Sequence, residues 1–148
     1  MAKRLRLIRQ HDSMQCGAAC LAMICHYYGK SLSLEETEAY CPVNKRGVSL
    51  LGISEAAQDM GFHTRAARFT VRQLCEAGLP AILYWNQDHF VVLYQVKRNK
   101  FYIADPGGGL VVYDNEAFRE NWISSMKNGF EQGIALTLQP TRNFVKTP

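Results

Sequence analysis

One thiol in this sequence is set apart by its surroundings. Cys16 follows the polar segment Gln10-His11-Asp12-Ser13-Met14-Gln15 and precedes Gly17 and a long apolar run. That pattern puts it at the first turn of a helix, where unsatisfied N–H groups and the helix dipole favour a thiolate. A thiolate so held is a nucleophile for acyl transfer, provided that an imidazole pairs with it and protonates a leaving amine. Of the four histidines, His11 shares the loop of Cys16, His26 lies near the end of the apolar run, and His63 starts a strand-like segment. His89 opens Phe90–Val96, where a strand end can present a side chain to a cleft. A third group must orient the imidazole. Asp88 is adjacent, but neighbouring strand residues point to opposite faces. Asp105 ends the next strand and is the better candidate, subject to a parity condition. A turn with an odd number of residues near Lys97–Lys100 puts His89 and Asp105 on one face, and an even turn separates them. The bland reading of Asp105-Pro106-Gly107-Gly108 is a turn and nothing more. An oxyanion would need a donor besides the Cys16 N–H. Gln10 and Gln15 are both candidates: Gln15, touching Cys16 in sequence, is expected to point elsewhere, whereas Gln10 has the reach to fold back.

The elements that must position these groups are legible. Ser13 is the expected cap of a helix from about Cys16 to Tyr28, closed by Gly29 and apolar almost all round, hence buried. Gly17 behind the nucleophile allows backbone and substrate to approach closely. Ser33 with Glu36 reads as a capping box for a short second helix, and Ser49 caps a third from Leu50 to Met60, stopped by Gly61. A strand over Phe62–Phe69 and a short helix over Val71–Ala77 follow. The runs Ala81–Trp85, His89–Val96, Lys100–Ala104 and Leu110–Tyr113 suggest an antiparallel meander. A helix around Glu116–Trp122 and a last strand, Gly133–Leu138, complete the chain. Helices first and strands afterwards indicate an α+β domain over 1–140, with 141–148 as a linker.

Bulk properties narrow the function. The 148 residues suit one domain, and the formal charge of +4 is mild, with part of it in Lys3, Arg4, Arg6 and Arg9. No basic stripe interleaved with aromatics is present, which argues against nucleic acid. Five cysteines, three of them in one apolar segment, match neither a disulfide framework nor paired Cys-x-x-Cys zinc units. Reduced thiols are expected, with Cys20, Cys25, Cys41 and Cys75 as structural residues. No apolar stretch reaches the ~20 residues that span a bilayer.

Taken together, Gln10, Cys16-Gly17-Ala18-Ala19-Cys20, His89-Phe90-Val91-Val92-Leu93 and Asp105-Pro106 resemble the bacteriocin-processing endopeptidases, the papain-like cysteine peptidase domains of bacterial ABC exporters. The resemblance runs from about Leu7 to Pro140. It implies a helical part packed on an antiparallel sheet, and cleavage of a precursor peptide after a double-glycine leader on the cytoplasmic side of the membrane. It assigns Cys16 as nucleophile, His89 as general acid/base, Asp105 as orienting group and Gln10 as oxyanion donor. The implied partners are the leader peptide and the transmembrane and nucleotide-binding parts of the same transporter, which would use ATP. The peptidase step needs no metal or organic cofactor, and the isolated domain is expected to be a monomer. Many members carry an acidic residue where Gln15 stands, a departure that bears on substrate preference. Two other readings exist: a non-catalytic docking domain for exporter cargo, and another papain-like enzyme that passes the acyl group to an amine.

Overall fold

The structure is a computed structural model that describes residues 5–41 and 48–147; Lys3, Arg4 and Pro148 lie outside the described residues. A short 3-10 turn, Ser13–Gln15, leads directly into α1 (Cys16–Tyr27). Asp12 caps this start, its side chain accepting from the Met14 N–H while Gln15 closes a capping box. The cap is therefore one residue earlier than expected, because the 3-10 turn takes up Ser13. Ser33 and Glu36 form the expected capping box on α2 (Leu34–Glu38), and Ser49 caps α3 (Leu50–Asp59), which ends before Gly61 at φ +102°. The chain continues as β1 (Phe62–Phe69), α4 (Val71–Ala77), β2 (Ala81–Trp85), β3 (His89–Lys97), β4 (Lys100–Asp105), β5 (Gly109–Asp114), α5 (Asn115–Trp122), β6 (Ile123–Lys127) and β7 (Phe130–Pro140).

The seven strands among the described residues belong to one antiparallel sheet, ordered β1-β7-β2-β3-β4-β5 with β6 paired to β7. The expected meander is β2 to β5. Two features lie outside the sequence reading. β6 is a strand, joined to β7 by an Asn128-Gly129 turn whose two residues both have positive φ, as a tight hairpin requires. β7 inserts between β1 and β2 instead of extending the meander.

The sheet separates two cores. On one side, α1 contributes a continuous buried run from Cys16 to Cys25, and α3 adds Ile53, Ala56 and Ala57. These pack on Ile82, Phe90, Val92, Ala104 and Leu136. On the other side, Leu74 of α4 and Phe118 and Trp122 of α5 cover Leu83, Trp85, Leu93, Phe101 and Ile103. Phe118 stacks on Phe101 with ring centroids 4.1 Å apart and planes 9° apart. The first three helices thus form the segregated layer expected, and the two later ones close the opposite face.

Gly133 shows how tightly that second face is packed. A Cβ there would sit 2.3 Å from the Trp122 ring, whose Nε1–H donates to the Ile134 carbonyl at 3.0 Å. Residues 141–147, expected as a linker, make contacts with the domain. Thr141 N–H donates to Gly61 O at 2.9 Å, Phe144 is buried with its ring 4.6 Å from that of Phe62, and Thr147 N–H donates to Gly29 O at 2.9 Å.

Candidate active site

Cys16 is the first residue of α1 and is largely buried. The turn before it is fixed by Gln15, whose Oε1 accepts from the backbone N–H of His11 at 2.6 Å and of Asp12 at 3.1 Å. Gln15 Nε2 donates to Glu38 of α2 at 2.8 Å. Gln15 is thereby committed to structure, as its place beside Cys16 suggested. The Gln10 backbone N–H donates to Pro106 O at 3.1 Å, which ties the segment before Cys16 to the turn after β4. A Cβ on Gly107 would lie 3.4 Å from Gln10 Nε2 and 3.6 Å from Asp105 Oδ1, so the Gln10 amide and the Asp105 carboxylate flank the same glycine. Gln10 Oε1 is buried without a protein partner.

His89 and Asp105 meet. His89 Nε2 and Asp105 Oδ1 are 2.6 Å apart, with about a fifth of each side chain exposed (23% and 19%). The same Oδ1 accepts the Gly107 N–H at 2.9 Å. With Nε2 taken by the carboxylate, Nδ1 is the ring nitrogen left for Cys16, which is near enough to favour the charged imidazole. The bond from Asp105 is the largest influence on His89 and the nearness of Cys16 the next. Together they outweigh burial and raise the imidazole from 6.5 to about 10. Burial pushes the Asp105 carboxyl up, but the bonds from His89 and from the Gly107 and Gly108 N–H groups win and hold it below its ordinary value.

The parity condition is met by an unexpected route. The hairpin turn is Arg98-Asn99, an even loop with φ of 53° and 62°, closed by the Lys97↔Lys100 pair. Alone it would separate the two side chains. A register shift between Leu93 and Gln95 supplies one extra residue, Tyr94, and restores the match. Nothing in the local composition of Phe90–Val96 signals that bulge.

Gly17 serves a different purpose from the one expected. A Cβ there would lie 2.5 Å from Val48 Cγ1 and 2.8 Å from Ile53 Cδ1, so the glycine lets α1 pack against the start of α3 and does not face a substrate. Cys20, Cys25 and Cys41 fit their expected reading as buried structural thiols, whereas Cys75 on α4 is exposed and departs from it. Burial drives Cys20 well above its ordinary value and pushes Cys25 up to about 12 and Cys41 to about 11. All five cysteines are free. His11 is exposed, its Nε2 3.8 Å from Glu35; His26 lies near the end of α1 and His63 on β1. Among the described residues, no cluster of side chains suits a metal ion and no helix is long and apolar enough to cross a membrane.

The sequence profile of the Peptidase C39 family matches residues 4–141. The chain belongs to the Peptidase C39 family. The C39 domain is 34% identical over 143 residues to the probable microcin-H47 secretion/processing ATP-binding protein of Escherichia coli, a match that covers 97% of this chain and 19% of that protein. It is equally similar (34% over 142 residues, 96% of this chain, 19% of that one) to the colicin V secretion/processing ATP-binding protein of the same organism. The chain thus spans about a fifth of the length of these curated relatives. Among solved structures, the C39 domain superposes on a double glycine motif protease from an AMS/PCAT transporter in complex with the leader peptide. The TM-score is 0.82 at 34% identity, over 94% of each chain. The peptidase domain of Streptococcus ComA, a bifunctional ABC transporter of a quorum-sensing pathway, follows with a TM-score of 0.78 at 26% identity, over 93% of this chain and 100% of that one. The C39 domain therefore shares the papain-like α+β fold of these peptidases.

Proposed function

We propose that this C39 domain is a cysteine endopeptidase that removes the leader from a precursor peptide after a double-glycine motif. It would act on the cytoplasmic side of a bacterial membrane as part of an ABC exporter. The observation that carries the reading is the His89–Asp105 pair at 2.6 Å beside a thiol at a helix N-terminus. The likeness to leader-processing relatives supports it.

In this mechanism Cys16 Sγ attacks the carbonyl carbon of the second glycine. Charge moves to the carbonyl oxygen, where Gln10 Nε2 and the Cys16 N–H stabilise it. Collapse breaks the C–N bond, and His89 gives its proton to the departing amine of the mature peptide. Water then attacks the thioester, surrenders a proton to His89, and releases the leader with a free carboxylate. Asp105 keeps the imidazole oriented throughout and stabilises its charged form before the first proton transfer and after the second. Two glycines suit a narrow cleft that has no room for a Cβ. Hydrolysis on this route uses only the thiol, the imidazole and water; ATP would act in the nucleotide-binding part of a longer transporter. The domain is proposed to work as a monomer tethered to that transporter.

The test is mass spectrometry of a synthetic double-glycine leader–core peptide incubated with wild type and with Cys16→Ala. Cleavage directly after the second glycine, absent in the variant, is expected. An intact peptide that binds both proteins equally would instead identify a docking domain. Transfer of the acyl group to an added amine in preference to water would identify a transferase.

A further inference from the structure

We infer that Tyr94 is a positioning residue: the extra residue that it adds to β3 puts His89 on the same side of the β3–β4 ribbon as Asp105. The inference rests on the reading that this pair does the chemistry. Near the turn, Lys97↔Lys100, Val96↔Phe101 and Gln95↔Tyr102 run in step. Past Tyr94 the register has moved by one, to Leu93↔Ile103 and Val92↔Ala104. Continued by one pair, Asp105 falls opposite Val91, two positions from His89 and therefore on its side. Without the extra residue, the ladder from Gln95↔Tyr102 would bring Asp105 opposite Val92. His89 would then be three positions away, on the other side.

The turn has no freedom to correct this. Arg98 and Asn99 both adopt the positive φ of the tight two-residue hairpin, whose twist matches the strands. The hydrophobic pattern does not set the register here either. Phe90, Val91, Val92 and Leu93 are all buried, alternating between the two cores of the sheet. A shift by one would exchange apolar residues for apolar residues, as in any strand covered on both faces. His89 is the residue in this segment for which parity decides a function. A bulge that re-aims one side chain beside a site is what such irregularities do. Tyr94 is half-buried, with its ring edge-on to Tyr102 at 6.1 Å across the ladder.

The experiment compares the full chain with Tyr94 deleted and the same deletion combined with a glycine inserted between Arg98 and Asn99. The second change returns the missing residue at the turn. His89 is followed by NMR titration, and hydrolysis of a double-glycine peptide is followed in parallel. In the single deletion His89 turns away from Cys16 as well as from Asp105, so its titration should fall from about 10 toward the ordinary 6.5, and hydrolysis should drop ~10³-fold. The double variant should regain the raised titration and most of the rate. An unchanged His89 titration in the single deletion overturns the inference. So does a double variant that fails to regain the raised value, whether or not the single deletion folds. If wild type cleaves no double-glycine peptide but the titrations behave as stated, the proposed substrate fails and the positioning role stands.

Discussion

Replacing Asp105 tests the electrostatic core of the site, because its effect on His89 has a calculable size and sign. Asp105 Oδ1 is 2.6 Å from His89 Nε2 and largely screened from water, with 19% of its side chain exposed. A hydrogen bond to a charged partner contributes roughly 1.5–3 kcal/mol, and a neutral one about 1 kcal/mol. Asparagine keeps an acceptor and loses the charge, so the imidazolium should lose about 1 kcal/mol, which lowers its titration by somewhat under one pH unit. Alanine loses the whole bond, about 2–3 kcal/mol or roughly two pH units. A mechanism in which imidazolium protonates the leaving amine loses activity as His89 deprotonates. The alkaline limb of kcat/KM should therefore lie near 10 in wild type and move down in the order wild type, Asp105→Asn, Asp105→Ala. At neutral pH, Asp105→Ala should be ~10–100-fold slower, less than the loss on removing His89, because the imidazole keeps its proton chemistry and loses its orientation. Stability follows the same sign. His89 is raised on folding, so its contribution is complete below 6.5 and is lost as pH rises through about 10. The Asp105 carboxyl is lowered, so its contribution is present above its ordinary value and lost on acidification through the folded one. The melting-temperature gap between wild type and Asp105→Ala should thus be widest near pH 5–6.5 and close at both extremes. Rate profiles from pH 5 to 11 and thermal melts over the same range measure both effects. An alkaline limb unmoved in Asp105→Ala would refute the assigned role of the carboxylate.

Three further outcomes are expected. Cys16→Ala should abolish turnover while leaving the fold and peptide binding intact, and Cys20→Ala should be nearly silent in rate. A live Cys16→Ala beside a dead Cys20→Ala in the same cleavage assay would reassign the nucleophile. Gln10→Ala should lower kcat by ~10²–10³-fold with little change in KM if its amide stabilises the oxyanion, as steady-state kinetics will show. Gly133→Ala should destabilise the domain by about 3 kcal/mol in a denaturant titration, since its Cβ would meet the buried Trp122 ring at 2.3 Å.

Much of the site could be read from residue order because its parts sit at element boundaries. Cys16 was found through the polar-to-apolar switch at a helix start, and His89 and Asp105 through the ends of two β-branched runs. The boundaries of β1 and α4 followed from Gly61 and Gly78, which have φ of 102° and 98°. What escaped depends on partners distant in sequence. The position of β7 between β1 and β2 is a tertiary choice that no local pattern encodes. β6 is short and half polar, so Ile123–Lys127 lacks a strand's alternation, although Asn128-Gly129 was an available hairpin signal. The Tyr94 bulge lies in a run of apolar residues whose burial is the same in either register. Gly17 looked like room for a substrate because its real neighbours, Val48 and Ile53, come from a different helical segment.

The insertion of β7 has a consequence for the order in which the enzyme comes into being. Its partners span the chain: Phe62 pairs with Pro140, and Ile82 with Leu136. The His89–Asp105 hairpin needs only contacts close in sequence and can close early, whereas joining β1 to the rest of the sheet must wait for the last strand to leave the ribosome. Leu136 and Leu138 complete the core beneath α1. The Cys16 helix therefore gains its final support last, and a growing chain can bring His89 and Asp105 together before Cys16 is seated. On the proposed mechanism, synthesis order alone would keep the nascent domain inert until its sheet is whole.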